Sequence, residues 1–390
     1  MHALRNALEE LCPGPTPDPV PMGAVWRFTA REAVRRLYRS AMVHWTSRRG
    51  TVRRGSADAP RVHYLGVPSA SARVVIGGAV KLIGLRARFP DSPDGFNVIY
   101  IVSSALPRDA AARVAKAKRE GARFVMNQNG VAYPAWCGDF YPWFNQEMRA
   151  LRSQADFIVY QSAFCRVSAE RYLGPADAPS EILWNPVDCT MFRPGGIPDP
   201  GSDWRLLTAG THHDFYRVRA GIDCLADLRR AGIAATLDIV GEFRWSGGDR
   251  EVAAYLAREG MTDFVRRRPA FSRAEAPNVY RGMHVLLHPK YKDPCPTVPI
   301  EAMACGVPVV ASRSGGMPEL VPSQCGVLCD VPEDWTRDHT PDADALADAV
   351  RQIMANHASF SAAARTWACD AFEQSLWNAR HAEIFQNVLR

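Results

Sequence analysis

Near-continuous apolar runs alternate with amphipathic stretches from residue 61 onward, and this alternation restricts the fold more than any other feature of the sequence. "RVHYLG" (61–66), "NVIYIVSS" (97–104), "ARFVMNQNG" (122–130), "ADFIVYQS" (155–162) and "SEILWNPVD" (180–188) read as buried strands. Helix-like segments follow Gly77-Gly78 and recur near 105–121, 143–154 and 162–173. Strands apolar on both faces, separated by amphipathic helices, call for parallel sheets covered on both sides. "FRPGGIPDPGSD" (192–203) is a plausible interdomain linker, after which the pattern restarts. Strands are expected at "WRLLTAG", "ATLDIVGE", "DFVRRRP", "MHVLLHP", "VPVVAS" and "GVLCD". The expected helices cover 249–258, 271–279, 299–305, 343–355, 359–370 and 373–388, besides "RAGIDCLADLRRAG".

The expected architecture is two doubly wound Rossmann-like α/β domains facing across a cleft. The divisions are an N-terminal extension (1–60), a first domain (61–195), a second domain (196–372) and a C-terminal helix (373–390) crossing back to the first domain. Ligands in such sheets bind beyond the C-terminal ends of the strands. In the extension, Thr29 and Glu32 form a capping box before an apolar face at Val34, Leu37, Tyr38, Ala41, Met42 and Trp45. Arginines crowd residues 27–54. This segment suits docking on the protein body, peripheral contact with a membrane surface or a grip on an anionic acceptor.

The formal net charge is +6, mostly from arginine, since lysine occurs only at 81, 116, 118, 290 and 292. That charge favours small anions, and no zinc-finger, RRM or KH pattern points to nucleic acid. The ten cysteines include no CxxC pair, so reduced thiols and no metal site are expected. No signal peptide or membrane-spanning run is evident, and a cytoplasmic location, with peripheral contact at the inner membrane face as an alternative, is expected.

The chemistry concentrates in "YKDPCPTVPIEAMACGVPVVASRSGGMPEL" (291–320). Pro299 suits the first turn of a helix and Gly306 its left-handed end. Asp293 then lies in the preceding loop and Glu301 in the first turns. The amides of Thr297 and Val298 sit at the helix N-terminus, where a phosphate is favoured. A carboxylate here can accept two hydrogen bonds from a vicinal diol, and a second can reach other hydroxyls. Diol, diphosphate and sugar hydroxyls together describe a nucleotide sugar.

"DPCPTVPIEAMACGVPVVASRSGGMPELV" resembles the donor-binding signature of the retaining GT-B glycosyltransferases of family 4, which carry two acids separated by seven residues. "NPVDCTMFRP" (185–194) and Gly77-Gly78 are similar to further family segments, and the resemblance covers residues 61–390. It implies a GT-B fold and a metal-independent, same-face transfer with no protein nucleophile. No separate cofactor is implied: the cosubstrate would be a UDP- or GDP-sugar and the acceptor a hydroxyl-bearing glycan or small molecule. By resemblance Glu301 holds the ribose and Asp293 lies near the reacting carbon. Gly77 and Gly78 admit close approach of donor and acceptor.

Several positions depart from the family pattern. Thr211 stands where an arginine is common, leaving Arg217, or Arg219, to clamp the diphosphate. Asp293 is shorter than the usual glutamate, Pro296 replaces a glycine, and Asn129 stands near a position often held by histidine. Glu319 reads as a donor contact or a cap of its own helix, His212 and His213 as loop residues, and Glu242 and Phe243 as base-reading neighbours. Tyr133, Trp136, Tyr141 and Trp143, with Asp139, suit an acceptor sugar or a packing loop. Two rivals share this sequence pattern: a nucleotide-sugar epimerase or hydrolase, and a non-catalytic nucleotide-sugar or carbohydrate-binding protein.

Overall fold

The computed structural model describes residues 59–66, 80–107, 109–195 and 203–390. The basic segment 27–54 with its capping box, and the Gly77-Gly78 pair, lie outside the described residues. Five strands form the first sheet: β1 (Val62–Tyr64), β2 (Val98–Val102), β3 (Arg123–Gln128), β4 (Phe157–Tyr160) and β5 (Ser180–Ile182). They lie side by side in chain order and every pairing is parallel. Parallel neighbours require crossovers. These include α1 (Leu82–Arg88), α2 (Ala110–Arg119), α3 (Pro134–Cys137), α4 (Tyr141–Arg152) and α5 (Ala163–Leu173). Along β2, "VIYIV" is buried at every position because both faces are covered. Val98, Tyr100 and Val102 pack in one core, and Ile99 and Ile101 pack in another with α2.

The second sheet has the order β11-β10-β9-β6-β7-β8, all parallel. Its strands are β6 (Trp204–Ala209), β7 (Ala235–Val240), β8 (Val265–Arg268), β9 (Val285–His288), β10 (Val309–Ser312) and β11 (Gly326–Cys329). The helices α6 (Phe215–Arg230), α7 (Gly248–Glu259), α8 (Ala276–Tyr280), α9 (Thr297–Ala304), α10 (Met317–Leu320), α11 (Ala343–Ala355) and α12 (His357–Phe372) follow the chain. One core joins α9 and α12 to one face, and another joins α6, α7 and α11 to the other. Strand order reverses between β6 and β9, and the crevice beyond such a switch point is where ligands bind. The described part of the first sheet has no such reversal.

One expected helix is much shorter than its pattern suggests. Residues 271–279 yield only α8, since Pro277 lacks an amide and its ring would clash with a helical carbonyl four residues earlier. Glu275 instead accepts the Ser272 amide at 2.8 Å and hydroxyl at 2.6 Å. No helix among the described residues is long and apolar enough to cross a membrane.

The chain passes between the sheets twice, and the two passages touch. The Val187 amide donates to the Phe372 carbonyl at 2.7 Å, and the Gln374 amide to the Val187 carbonyl at 2.9 Å. Helix α13 (Gln374–Leu389) then packs on the first sheet through Trp377, Ile384 and Phe385. His381 Nδ1 donates to the Trp377 carbonyl at 2.9 Å, which leaves Nε2 to accept the Tyr100 hydroxyl at 2.9 Å. Burial keeps this imidazole neutral, with its pKa lowered to about 3. Phe385 lies edge-on to both Tyr100 and Phe89. Phe385→Ala should cost about 3–5 kcal/mol of unfolding free energy, read from urea denaturation. A loss below about 1 kcal/mol would mean that α13 contributes little to the first domain.

Candidate active site

The loops leaving β6 and β9 meet at the switch point, and the acidic stretch occupies the second of them. Pro296 is extended (φ −69°, ψ 137°) and α9 begins at Thr297, so the loop holding Asp293 ends against a helix N-terminus. The Gly315-Gly316 turn supports this loop by direct backbone contact. A Cβ on Gly315 would lie 2.4 Å from the Asp293 carbonyl oxygen, and one on Gly316 2.2 Å from that of Pro294. Gly315 also has φ +62°, in the left-handed region that glycine tolerates. The Gly316 amide donates to the Asp293 carbonyl at 2.8 Å, and the Lys292 amide to Ser314 Oγ at 2.9 Å. Lys292 itself is left-handed (φ 45°). From the first domain, Ser162 Oγ donates to the Pro294 carbonyl at 2.7 Å and Asn185 Nδ2 to the Cys295 carbonyl at 2.6 Å. The Asp293 loop therefore lies between the domains.

Asp293 is buried and charged. Burial alone would raise its pKa, but Lys290 at 3.1 Å, His288 at 3.0 Å and nearby Arg217 hold it well below the usual carboxylate range. His288 is neutral, its pKa lowered to about 4 chiefly by burial and further by Arg217, against the pull of Asp293. Arg217 Nη2 donates to His288 Nδ1 at 3.3 Å, so Nε2 carries the proton and donates to Asp293. Arg217 also donates to the carbonyls of Ala209 at 2.7 Å and Thr211 at 3.2 Å. It is buried beneath the β6 loop, which it shapes, and reaches Asp293 through His288.

Glu301 is half-buried, and its Oε2 accepts the Tyr280 hydroxyl at 2.6 Å. Burial raises its pKa to about 7, with Tyr280 and Arg273 opposing the shift. Such a carboxyl moves readily between an acid and an acceptor for two hydroxyl donors. Thr297 and Val298 form the first turn of α9, whose leading amides lack helical partners.

Other sequence candidates take different places. Arg219 lies two residues beyond Arg217, about 200° around the helix. It pairs with Asp223 at 3.2 Å and meets the Tyr255 hydroxyl of α7, and is not brought to the Asp293 cluster. Thr211 contributes its carbonyl to Arg217 while its side chain is exposed. His212 is buried against Phe243, its ring 3.2 Å from the Val240 carbonyl. Glu242 pairs with Arg244 at 2.8 Å.

Glu319 caps a helix of the first domain. Its carboxylate accepts the amides of Ala163 at 2.7 Å and Phe164 at 3.0 Å, capping α5 across the cleft, where unpaired amides attract an anion. Asn129 is enclosed in a polar network with Lys81 at 3.4 Å, Ser104 at 2.7 Å and Gln161.

Sequence reading missed His288, Lys290, Lys292, Tyr280 and Lys81. The scarcity of lysine was a usable signal, since three of the five lie at or beside the cleft. Lys81 is buried, donates to Asn127 Oδ1 at 2.5 Å, and has its pKa lowered by burial to about 7. Among the described residues no cluster of three or more His, Cys, Asp or Glu could hold a metal ion.

The raised Glu301 pKa makes stability depend on pH in a specific direction. The unfolded carboxyl ionises near 4.5 and the folded one near about 7, so within that window only the folded state retains the proton. Stability contributed by Glu301 therefore falls as pH rises from about 4.5 to about 7. Urea denaturation across this range should show a shallower decline for Glu301→Gln than for the native chain. Asp338, raised to about 6 by burial and Asp214, adds a slope of the same sign to both proteins. Identical slopes would show that Glu301 does not titrate in this window.

Residues 204–356 match the family model described as "Glycosyl transferases group 1". The chain is 39% identical over 162 residues to a D-inositol 3-phosphate glycosyltransferase of Segniliparus rotundus, covering 38% of this chain and 36% of that relative. It is 29% identical over 296 residues to a GDP-mannose-dependent alpha-(1-6)-phosphatidylinositol monomannoside mannosyltransferase of Mycolicibacterium smegmatis, covering 69% and 71% of the two chains. The alignment thus spans little more than a third of the first relative's length. The fold is shared with Anabaena HepE, solved with UDP, at a TM-score of 0.67 and 17% identity, covering 84% of this chain and 100% of that one. The HepE complex with UDP-glucose gives a TM-score of 0.65 at 17% identity, covering 84% and 99%. With two Rossmann-like domains flanking a cleft, the chain is a GT-B fold protein related to the family 4, or group 1, glycosyl transferases.

Proposed function

We propose that this chain transfers a sugar from a nucleoside-diphosphate sugar to an acceptor hydroxyl, with retention of anomeric configuration. One observation carries the reading: Asp293 and Glu301 flank the N-terminus of α9 at the switch point of the second sheet, with the Asp293 loop contacted by the first domain. Glu301 would accept the ribose hydroxyls. The diphosphate would lie against the leading amides of α9 and Lys290, whose side chain is 36% exposed. Arg217, buried under the β6 loop, would act through His288 by keeping Asp293 ionised and oriented.

In the transfer, the bond from the anomeric carbon to the leaving phosphate oxygen breaks, and a bond to the acceptor oxygen forms on the same face. The acceptor proton passes to the departing diphosphate. Asp293 would hold sugar hydroxyls and oppose positive charge developing near the anomeric carbon, while Lys290 and the α9 amides would stabilise the departing anion. A relative named as GDP-mannose-dependent and a similar fold solved with UDP-glucose support a GDP- or UDP-sugar donor.

The test begins with calorimetric titration of UDP, GDP and their sugars into the full chain, followed by NMR of the anomeric proton in the product. Retention is expected. Glu301→Ala should weaken nucleotide-sugar binding about 10- to 100-fold, as expected on losing a charged hydrogen-bond acceptor. Asp293→Asn should keep nucleotide affinity within a few-fold while lowering kcat by about 100-fold or more. An inverted product would sink the same-face mechanism, and unchanged affinity in Glu301→Ala would remove the ribose role.

A further inference from the structure

Residues 330–342, between β11 and α11, leave the second domain and place Trp335 on the first. The indole is parallel to Phe164, with centroids 5.4 Å apart and planes 2° apart, and edge-on to Tyr133 at 5.3 Å. Its backbone carbonyl accepts the Ala135 amide at 2.9 Å. Tyr291 secures this strap by donating to the Pro332 carbonyl at 2.6 Å and accepting the Asp334 amide at 2.7 Å. Lys292 Nζ lies 3.8 Å from the Trp335 ring centroid and pairs with Glu333. The strap is thus tied to the loop carrying Asp293.

An open pocket of about 530 Å³ is bounded by Trp335, and its other walls include Pro134, Tyr141, Tyr172, Arg149 and Arg171. No aspartate or glutamate lines it. Arg171 is exposed, its guanidinium carbon 5.3 Å from the Trp335 ring and 5.5 Å from that of Tyr172. Arg149 donates to the carbonyls of Leu173 and Tyr172. Neither arginine joins a salt bridge among the described residues.

We propose that this pocket is a subsite for an anionic glycosyl group of the acceptor, a uronate or a sugar phosphate, gripped between aromatic faces and the two arginines. The proposal rests on the transferase reading above and deepens it. Aromatic rings can cover the C–H face of a pyranose, while a planar guanidinium suits two-point pairing with carboxylate or phosphate. The volume falls within the range of small-molecule sites, about 300–1,000 Å³. Walls come from both domains, so an occupant binds the closed arrangement better than an open one and shifts the population toward closure. Lys292, next to Asp293 in the chain, lies against the wall residue Trp335, which places the pocket beside the loop carrying Asp293.

The experiment titrates three probes into the full chain: methyl β-D-glucuronide, glucose 6-phosphate and neutral methyl β-D-glucoside. At least one acidic probe should bind about 5- to 10-fold more tightly than the neutral one, the scale of one ordinary net hydrogen bond. Arg171→Gln should reduce that preference while leaving the neutral affinity unchanged. Trp335→Phe, which retains an aromatic face, should weaken all three probes less than Trp335→Ala. Preference for the glucuronide alone or for the phosphate alone would support the site and identify its source of charge. Equal binding of acidic and neutral probes, no binding at millimolar concentration, or a preference undiminished in Arg171→Gln would overturn it. Thermal unfolding verifies that the variants fold. UDP and GDP titrated into the native chain report separately on the donor reading, whose failure would appear there without affecting the probe preference.

Discussion

The ionised Asp293, buried between two domains, is the constraint around which the cleft is organised. An unpaired carboxylate in that position would take up a proton or force the domains apart. Lys290 and the Nε2 proton of His288 prevent this, and the latter exists because Arg217 donates to Nδ1. Arg217 is fixed in turn by carbonyls at the end of β6. Charge at the crevice thus depends on the two strands that define the switch point, β6 and β9. A displacement of either strand would alter the ionisation of Asp293.

The backbone of the same loop is held with equal strictness. Glycines at 315 and 316 allow main chain to touch main chain, and no side chain could enter that contact without moving Asp293 or Pro294. First-domain groups complete the enclosure: Ser162 binds Pro294, and Asn185 binds Cys295. Glu319 returns the connection by capping α5 of the first domain. Closure is built partly from these polar contacts and partly from aromatic packing across the junction, where Trp335 lies on Phe164 and Tyr133, and Trp184 meets Trp367 and Phe372.

Charge and aromatic packing meet again in the strap carrying Trp335. Lys292 is strained at φ 45° and buried, yet its ammonium has both a carboxylate and a ring face to satisfy it. Its neighbour Asp293 belongs to the buried cluster with His288 and Lys290.

The sequence determined the local elements and the chemistry of the acidic loop. Near-continuous apolar runs such as 97–104 specified parallel layers because a strand apolar on both faces must be covered on both. Pro299 and Gly306 bounded α9 closely, while Pro277 cut α8 short against the longer helix expected from its flanking residues. Side-chain partnerships were decided by tertiary structure. Arg217 and Arg219 are alike in sequence, but helix rotation sends one beneath the β6 loop and the other to Asp223. Glu319 reads from sequence as a donor contact or a cap for its own helix, whereas its carboxylate accepts amides of the facing domain. His288 carried no recognisable motif because its role depends on groups distant in the chain meeting at a strand end. Short-range sterics fix where a helix begins, whereas the state of a buried charge depends on everything that packs around it.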